Sequence, residues 1–511
     1  MSPKARSVRP AARPISGRNL IGGAWVPSSS RQTFEDRNPA NRDDVIGVFP
    51  RSTARDLDQA VATARAAYPD WRRLSRIKRG EVFDRFVQIV KRAHEDLARL
   101  MAREAGKPIN ESRADVTEGI HMAQYVFGAA RMPSGAIVAS EIPEKDAFIR
   151  RRPKGVMAVI TPWNFPFAIP MWLLGPSLVE GNTAVFKPSE ETPALGQRIG
   201  ELLTEAGLPP GVLNLVQGTG EEAGRALVAH AGIDVVLFTG SFDVGSEIKA
   251  VCGRAPHKLA VCEMGGKNAV VVFDDADYDI ALMAALLSAY KTSGQRCVSS
   301  GKLIVHRRLY HRFCKDFVAL SRRVLIGDPA DDRTFMGPLI NDAGRKKMER
   351  YIDLARREGA KVLLEGGPVT GKAYDRGFFV APFVAQMEYD PRSRVLREEV
   401  FAPHVMIVPF ETLEEAVTIY NDTDYGLALA VITEDFRKAR ALREECDYGL
   451  GYVNLPSIGA EVHLPFGGLK RSGTGMPSAA ALIDAVTHRV AWTVNHGREI
   501  KMAQGLKATL D

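Results

Sequence analysis

Cys297 closes the string Gly294-Gln295-Arg296-Cys297, and Glu263 opens Glu263-Met264-Gly265-Gly266-Lys267 thirty-four residues earlier. A thiol is a nucleophile and a carboxylate is a base. Together they suggest covalent catalysis followed by hydrolysis: a thiolate attacks a carbonyl, and the carboxylate later activates the water that releases the acid. Taken alone, a lone Cys is most often a small buried hydrophobe and a lone Glu a solvated charge. The rest of the chain decides between the two readings.

Four further strings carry chemistry. Pro162-Trp163-Asn164-Phe165-Pro166 follows a strand-like run, and the Asn164 amide can hold a developing oxyanion. The plainer reading is a proline-bounded turn with a core Trp. Lys187-Pro188-Ser189-Glu190 ends a strand, the place where doubly wound sheets bind ligands. Lys187 and Glu190 suit ribose hydroxyls, and a carboxylate there disfavours a 2′-phosphate, favouring NAD over NADP; otherwise the two form a surface salt link. Phe238-Thr239-Gly240-Ser241-Phe242-Asp243-Val244-Gly245 joins a strand to a helix and lets a phosphate approach backbone N–H groups, or is simply a Ser/Thr-capped helix. Gly218-Thr219-Gly220-Glu221-Glu222-Ala223-Gly224 is one residue off a dinucleotide fingerprint. Glu221 and Glu222 would repel a phosphate at the helix start, so this reads as a structural turn that at most brushes an adenine.

The elements that must position these residues alternate. Residues 53–130 are helical by periodicity, with Ala60, Ala64, Ala67 and Trp71 on one face and Phe83, Phe86, Ile89 and Val90 on another. Strands at 156–160, 183–187, 212–216, 235–238 and 269–273 then alternate with helices at 195–206, 223–229 and 246–251, which predicts a parallel, doubly wound sheet. A second series follows: helix 282–290, strand 303–305, helix 310–325, strand 405–408, helix 413–420 and strand 428–432. Residues 486–494 alternate like an exposed antiparallel strand, and 148–153 is a short Arg-rich extended piece. Either can add to a sheet edge in a partner subunit.

The chain has 511 residues, ordinary globular composition and a net charge of +7. Such a length calls for two or three domains. Five positive charges, Lys4, Arg6, Arg9, Arg13 and Arg18, precede the first acidic residue, Glu35; without them the body carries only +2. That argues against a nucleic-acid binder, whose charge would lie on a folded face. No apolar run is long enough to span a membrane. The N-terminal stretch reads as a disordered basic tail, with organellar targeting as an alternative to a cytoplasmic location; its prolines oppose an amphipathic helix. Five cysteines without a C-x-x-C pair, and histidines without an H-E-x-x-H pair, imply a reduced, metal-free protein.

In this order and spacing the strings resemble the aldehyde dehydrogenase superfamily over roughly residues 20–500. The matching motifs are Thr161-Pro162-Trp163-Asn164-Phe165-Pro166, Phe186-Lys187-Pro188-Ser189-Glu190, Phe238-Thr239-Gly240-Ser241, Glu263-Met264-Gly265-Gly266-Lys267, Gly294-Gln295-Arg296-Cys297, Glu398-Glu399-Val400-Phe401 and Pro465-Phe466-Gly467-Gly468. The resemblance implies an α/β fold of two doubly wound domains plus a β-flap for oligomerisation. It divides the chain into a cofactor domain (20–137 and 156–265), a catalytic domain (266–482), and a flap and tail (138–155 and 483–511), after the 1–19 tail.

The resemblance also implies roles. Cys297 is the nucleophile, which a low-pKa environment would help. Glu263 is the base, and Asn164 with the Cys297 N–H holds the oxyanion; Lys187 belongs to this set and to the adenosine-ribose clamp with Glu190. Ser241 meets the pyrophosphate, Glu399 and Phe401 hold the nicotinamide ribose and ring, and Gly220 lies near the adenine. Thr161, Pro162, Trp163, Ser189, Phe238, Thr239, Gly240, Gly245 and Met264 complete the NAD site, with NADP as the alternative. Phe165, Trp172 and Phe466 line an apolar substrate tunnel. The stretch Ser457-Ile458-Gly459-Ala460-Glu461 resembles the substrate-anchor loop of antiquitin-like aminoadipate-semialdehyde dehydrogenases, and Arg296 adds a positive charge beside it. The loop can equally be a tight turn around a tunnel for neutral aldehydes.

Three departures stand out: Met264 for the usual Leu, Ala402 for Gly, and Phe242-Asp243 after Ser241. A CoA-acylating relative would lack Glu263, and a non-catalytic one would lack Cys297. The partners expected are a small aldehyde and further copies of the chain, as a homodimer or homotetramer, with no nucleic acid and no membrane.

Overall fold

Thr53 opens the helical stretch: its N–H donates to Asp56 at 2.8 Å, anchoring the start of Ala54–Arg73. Ser75 caps Arg76–Ala105 by accepting the Lys78 N–H at 3.2 Å, and Gly106 ends that helix at φ +67°. Ile109–Ala129 follows. Phe83, Phe86 and Val90 are fully buried, as the periodicity requires.

The computed structural model describes residues 14–506. Its first large sheet has seven strands in the order Leu259–Glu263, Val235–Thr239, Val156–Ile160, Thr183–Lys187, Leu213–Leu215, Asn19–Ile21 and Ala24–Val26. The first five are parallel; the last two form an antiparallel hairpin. Register aligns Ile160 with Lys187 and Thr239 with Glu263, so the loops carrying Asn164, Glu190, Ser241 and Glu263 leave from one edge. That carboxyl edge is the ligand edge of such sheets.

The second seven-stranded sheet runs Lys361–Leu364, Phe383–Gln386, His404–Phe410, Ser300–His306, Asn268–Val272, Ala428–Ile432 and Leu450–Val453, parallel except for its first member. Cys297 and Phe401 lie just before Ser300–His306 and His404–Phe410, so this sheet turns its amino edge toward the site. The fold class is the one expected, and no described helix is long and apolar enough to cross a membrane.

A third sheet pairs Thr487–Asn495 with Lys145–Pro153, and Lys145–Pro153 with Gly135–Val138, all antiparallel. The flap therefore has three strands and begins before residue 138. Trp492 and Ile137 on it are exposed.

Other expectations need correction. Residues 14–19, assigned to the tail, are structured: Ile15–Ser16 pairs with Val45–Pro50, and the Arg18 N–H donates to Gln197. The tail residues Lys4, Arg6, Arg9 and Arg13 lie outside the described residues. The helix expected at 223–229 begins as a π-turn, Gly220–Gly224, before Arg225–Ala229. The helix Ala168–Val179 gave no periodic signal because every residue in it is buried.

Candidate active site

The helix Tyr278–Tyr290 ends in Lys291–Gly294, where Thr292, Ser293 and Gly294 take φ of +53°, +55° and +71°. Left-handed backbone costs about 1–3 kcal/mol at each non-glycine residue and persists only when neighbours over-determine it. A Cβ on Gly294 would stand 2.5 Å from the Ala402 carbonyl, so glycine is required twice over. Glu111, from Ile109–Ala129, supplies much of the restraint. Its carboxylate accepts from the Thr292 N–H (3.1 Å), the Thr292 hydroxyl (2.6 Å) and Arg296 (2.5 Å). Ser293 donates to the Gly337 carbonyl at 2.9 Å, and Gln295 Oε1 accepts the Ile340 N–H at 3.0 Å. Burial opposes the charge on Glu111, but Arg296 and Lys291 hold its pKa below the usual range.

Cys297 follows this turn. Its carbonyl accepts from Asn268 at 2.6 Å, and the Val298 N–H donates to its sulfur. Burial, then the charges of Glu399 and Glu263, push its pKa up to about 12; the Val298 N–H and Arg296 oppose this only partly. A low-pKa environment that would help the thiol is not what this structure shows: after burial, the largest charge effects on it come from two carboxylates, and Arg296 is already paired with Glu111.

Asn164 is held from both ends. Its amide donates to the Gln295 carbonyl at 2.9 Å, and its own carbonyl accepts from Lys107 at 3.1 Å; Lys107 is in turn paired with Asp115 at 2.8 Å. One amide hydrogen of Asn164 remains beside Cys297. Glu263 sits at the end of Leu259–Glu263 against the 467–473 turn. Its Oε2 accepts the Gly468 N–H at 3.2 Å, while Oε1 is buried without a partner. A Cβ on Gly467 would stand 2.8 Å from that Oε1, so the turn must be glycine for the carboxyl to fit. Burial pushes the Glu263 pKa well above the carboxylate range.

A cavity of about 500 Å³ runs between the two sheets. Cys297, Asn164, Pro162, Trp163, Thr239, Gly240, Ser241, Met264, Glu399 and Phe401 line it, so most of the expected catalytic and cofactor residues meet in one space. Glu399 Oε1 accepts the Gly266 N–H at 2.8 Å. Phe401, held at φ +62°, meets Trp163 edge-on at 5.7 Å between ring centres. Thr239 Oγ1 is buried and unpartnered, Ser241 caps the helix Phe242–Gly253, and Gly245 leaves room for Met264 beside Phe238. Thr161 continues the edge by donating its N–H to the Lys187 carbonyl at 3.3 Å.

Outside this cavity, on the same carboxyl edge of the first sheet, lies a second cluster. Lys187 Nζ is 2.8 Å from Glu190 Oε2, and Glu190 Oε1 accepts the Gly220 N–H at 3.0 Å. Burial lowers the Lys187 pKa; it opposes the charge on Glu190, but Lys187 overcomes that and holds the carboxyl below its usual range. Ser189 accepts the Glu191 N–H at 3.2 Å. Of the two glutamates that read as repelling phosphate, Glu222 is turned away to Arg51 at 2.6 Å.

The expected substrate residues divide. Trp172 and Phe466 lie 4.8 Å apart in the apolar cluster against which Phe165, Cys297, Ile458 and Ala460 pack. Arg296 is less free than expected: its Nε–H and one Nη2–H donate to Thr292 and Glu111, its charge is paired with Glu111, and it lies 5.0 Å from the Phe165 ring, though three of its five N–H donors keep no partner among the described residues. Ser457 is a correction. Its N–H and hydroxyl are spent on Ser288 and the Val298 carbonyl, making it a fastener of the nucleophile loop. The Gly459 carbonyl accepts from Tyr452, but the N–H groups of Gly459 and Ala460 meet no acceptor among the described residues.

Several residues were missed. Glu111, Lys107 and Asp115 lie in no motif of the sequence, yet all three are buried. Asn341, Lys347 and Arg350, from the start of Asp342–Arg357, line the cavity opposite Ser241. Lys347 acts on the Glu399 carboxyl, and Asn341 donates to Glu191 at 2.7 Å, joining the second domain to the Lys187–Glu190 turn. The alternating polar helix that carries them was the only signal available.

Comparison with known proteins places the chain in a family. The aldehyde dehydrogenase family matches residues 25–491. An alpha-ketoglutaric semialdehyde dehydrogenase of Bacillus subtilis is 35% identical over 458 residues, covering 89% of this chain and 93% of that protein. A crystal structure of betaine aldehyde dehydrogenase from Staphylococcus aureus, in complex with NAD+, superposes with a TM-score of 0.91 at 32% identity, covering 94% of this chain and 95% of that one. A putative aldehyde dehydrogenase from Burkholderia cenocepacia gives 0.91 at 34% identity over 95% and 99%. This chain belongs to the aldehyde dehydrogenase family.

Proposed function

We propose that the protein oxidises an aldehyde to its carboxylate with NAD+, through an acyl group carried on Cys297 and released with Glu263 as base. The observation that carries this reading is the convergence of Cys297, the Asn164 amide, Glu399 and Phe401 on one cavity, with Glu263 acting on the Cys297 thiol from its edge. Cys297 sulfur adds to the carbonyl carbon, passing its proton to water, and the oxyanion accepts from the free Asn164 N–H and the Cys297 backbone N–H. NAD+ bound in the cavity supplies the acceptor for the aldehyde hydrogen. The acyl group then remains on sulfur as a thioester. Glu263 removes a proton from water, whose oxygen displaces the sulfur, and the carboxylate leaves.

The Lys187–Glu190 pair holds the adenosine ribose, and the Gly220 N–H, near the adenine, fixes the Glu190 carboxylate. Glu190 repels a 2′-phosphate, which favours NAD over NADP. The cofactor and catalytic domains follow the two large sheets, with the division near residue 265. The three-stranded flap pairs with a second copy: a small sheet with open edges and exposed Ile137 and Trp492 is marginal alone. A C2 dimer, or a dimer of dimers, results.

For the substrate, the aromatic walls suit a neutral aldehyde. A semialdehyde is the second reading, favoured by the unpaired N–H groups of Gly459 and Ala460, which suit a carboxylate, and by the Bacillus subtilis relative. Ser457 does not support it, its donors being spent, and the charge of Arg296 is already paired with Glu111. The test is NADH formation with matched semialdehydes and neutral aldehydes of equal length. A preference of tenfold or more for either class decides between them, and no NADH from any aldehyde refutes the proposal.

A further inference from the structure

The wall expected to meet the cofactor's pyrophosphate is poor in positive charge. Ser241 spends its hydroxyl oxygen on the Val244 N–H at 3.4 Å, and Asp243 places a carboxylate in the first turn of Phe242–Gly253, where a phosphate would otherwise gain from the helix dipole. Two phosphate charges must be balanced from elsewhere. Across the same cavity, Lys347 and Arg350 stand three residues apart on one face of Asp342–Arg357. Their helix neighbours Arg345 and Lys346 are paired with Asp342. Lys347 and Arg350 have no ion pair or hydrogen bond among the described residues. Lys347 acts on Glu399, opposing in part the rise in pKa that burial causes there, while Arg350 is exposed.

We infer that Arg350 is a cofactor-positioning residue that closes on the pyrophosphate from the catalytic domain, supplying the counter-charge the Ser241 wall lacks. Guanidinium suits the task because its fork matches phosphate oxygens in pairs. The inference rests on the proposed course of the dinucleotide from the Glu190 clamp past Ser241 to Cys297.

The test is binding, measured by titration of the full chain with NADH, ADP-ribose and adenosine. In R350A, affinity for NADH and ADP-ribose is expected to fall about fivefold to tenfold at low salt, with the gap closing at high salt and adenosine binding unchanged. R350K is expected to recover part of the loss. Unchanged NADH and ADP-ribose affinity in R350A would overturn the inference, as would an equal loss for all three ligands, which marks a structural role. The clamp is tested separately: E190Q is expected to weaken adenosine. If it does not, the course of the cofactor is wrong, whatever R350A shows.

Discussion

The loop that carries Cys297 and the turn that carries Glu263 belong to different sheets and treat a buried glutamate in opposite ways. Beside the nucleophile, Glu111 is saturated: it accepts three hydrogen bonds and its pKa is lowered. In the base's own turn, Glu263 has one oxygen bonded and one buried without a partner, and its pKa is raised. Saturation fixes geometry; deprivation keeps a group ready to exchange a proton. The role proposed for Cys297 calls for the first and that proposed for Glu263 for the second.

The most drastic way to break this contrast is to remove the nucleophile. Cys297→Ala should lower aldehyde oxidation about a thousandfold or more while leaving NADH binding intact. Steady-state NADH production and NADH fluorescence check the two halves, and retained turnover would remove Cys297 from its role.

Glu111→Ala attacks the restraint instead. It strands the half-buried Arg296 and removes three bonds from a left-handed turn, so a loss of about 3 kcal/mol is expected, together with reduced activity. Urea unfolding measures the first. A variant as stable as the wild type would show that the turn is restrained by other contacts.

Glu263→Gln should lower turnover about a hundredfold but spare the first turnover, so a burst of NADH precedes the stall. Rapid mixing separates the phases. If burst and steady rate fall together, Glu263 acts before the acyl group forms.

The finest test is pH. Glutamate ordinarily titrates near 4.5. A raised native pKa favours the folded state below the unfolded value and loses that advantage as pH rises, so wild type should lose stability relative to E263Q from about pH 4.5 upward. A lowered native pKa does the reverse: wild type should lose stability relative to E111Q as pH falls below about 4.5. Each unit of difference is worth about 1.4 kcal/mol. Parallel curves for the two variants would erase the contrast.

The sequence made one side of this contrast visible. Strand–helix alternation located most of the parallel strands, and the glycine-bounded strings located Cys297, Asn164, Glu190 and Glu263 without any coordinates. What stayed hidden shares a cause. Glu111 and Lys107 lie far from the motifs in sequence, and only tertiary packing buries them. Arg296 looked free because its partner was 185 residues away. Ala168–Val179 has no polar face, and the strands Phe383–Gln386 and Lys361–Leu364 are too short to announce themselves. The raised pKa of Cys297 comes first from burial and then from Glu399, a charge far away in the chain, and neither shows in the local string.

The Asn341–Glu191 hydrogen bond has a consequence for the spacing of the two domains. It ties the start of Asp342–Arg357 to the turn after Thr183–Lys187, so any widening between the two sheets at this point must part it. A single part-buried bond of this kind contributes about 1 kcal/mol, a weak restraint on its own. It biases the two walls toward the separation seen here without locking them there.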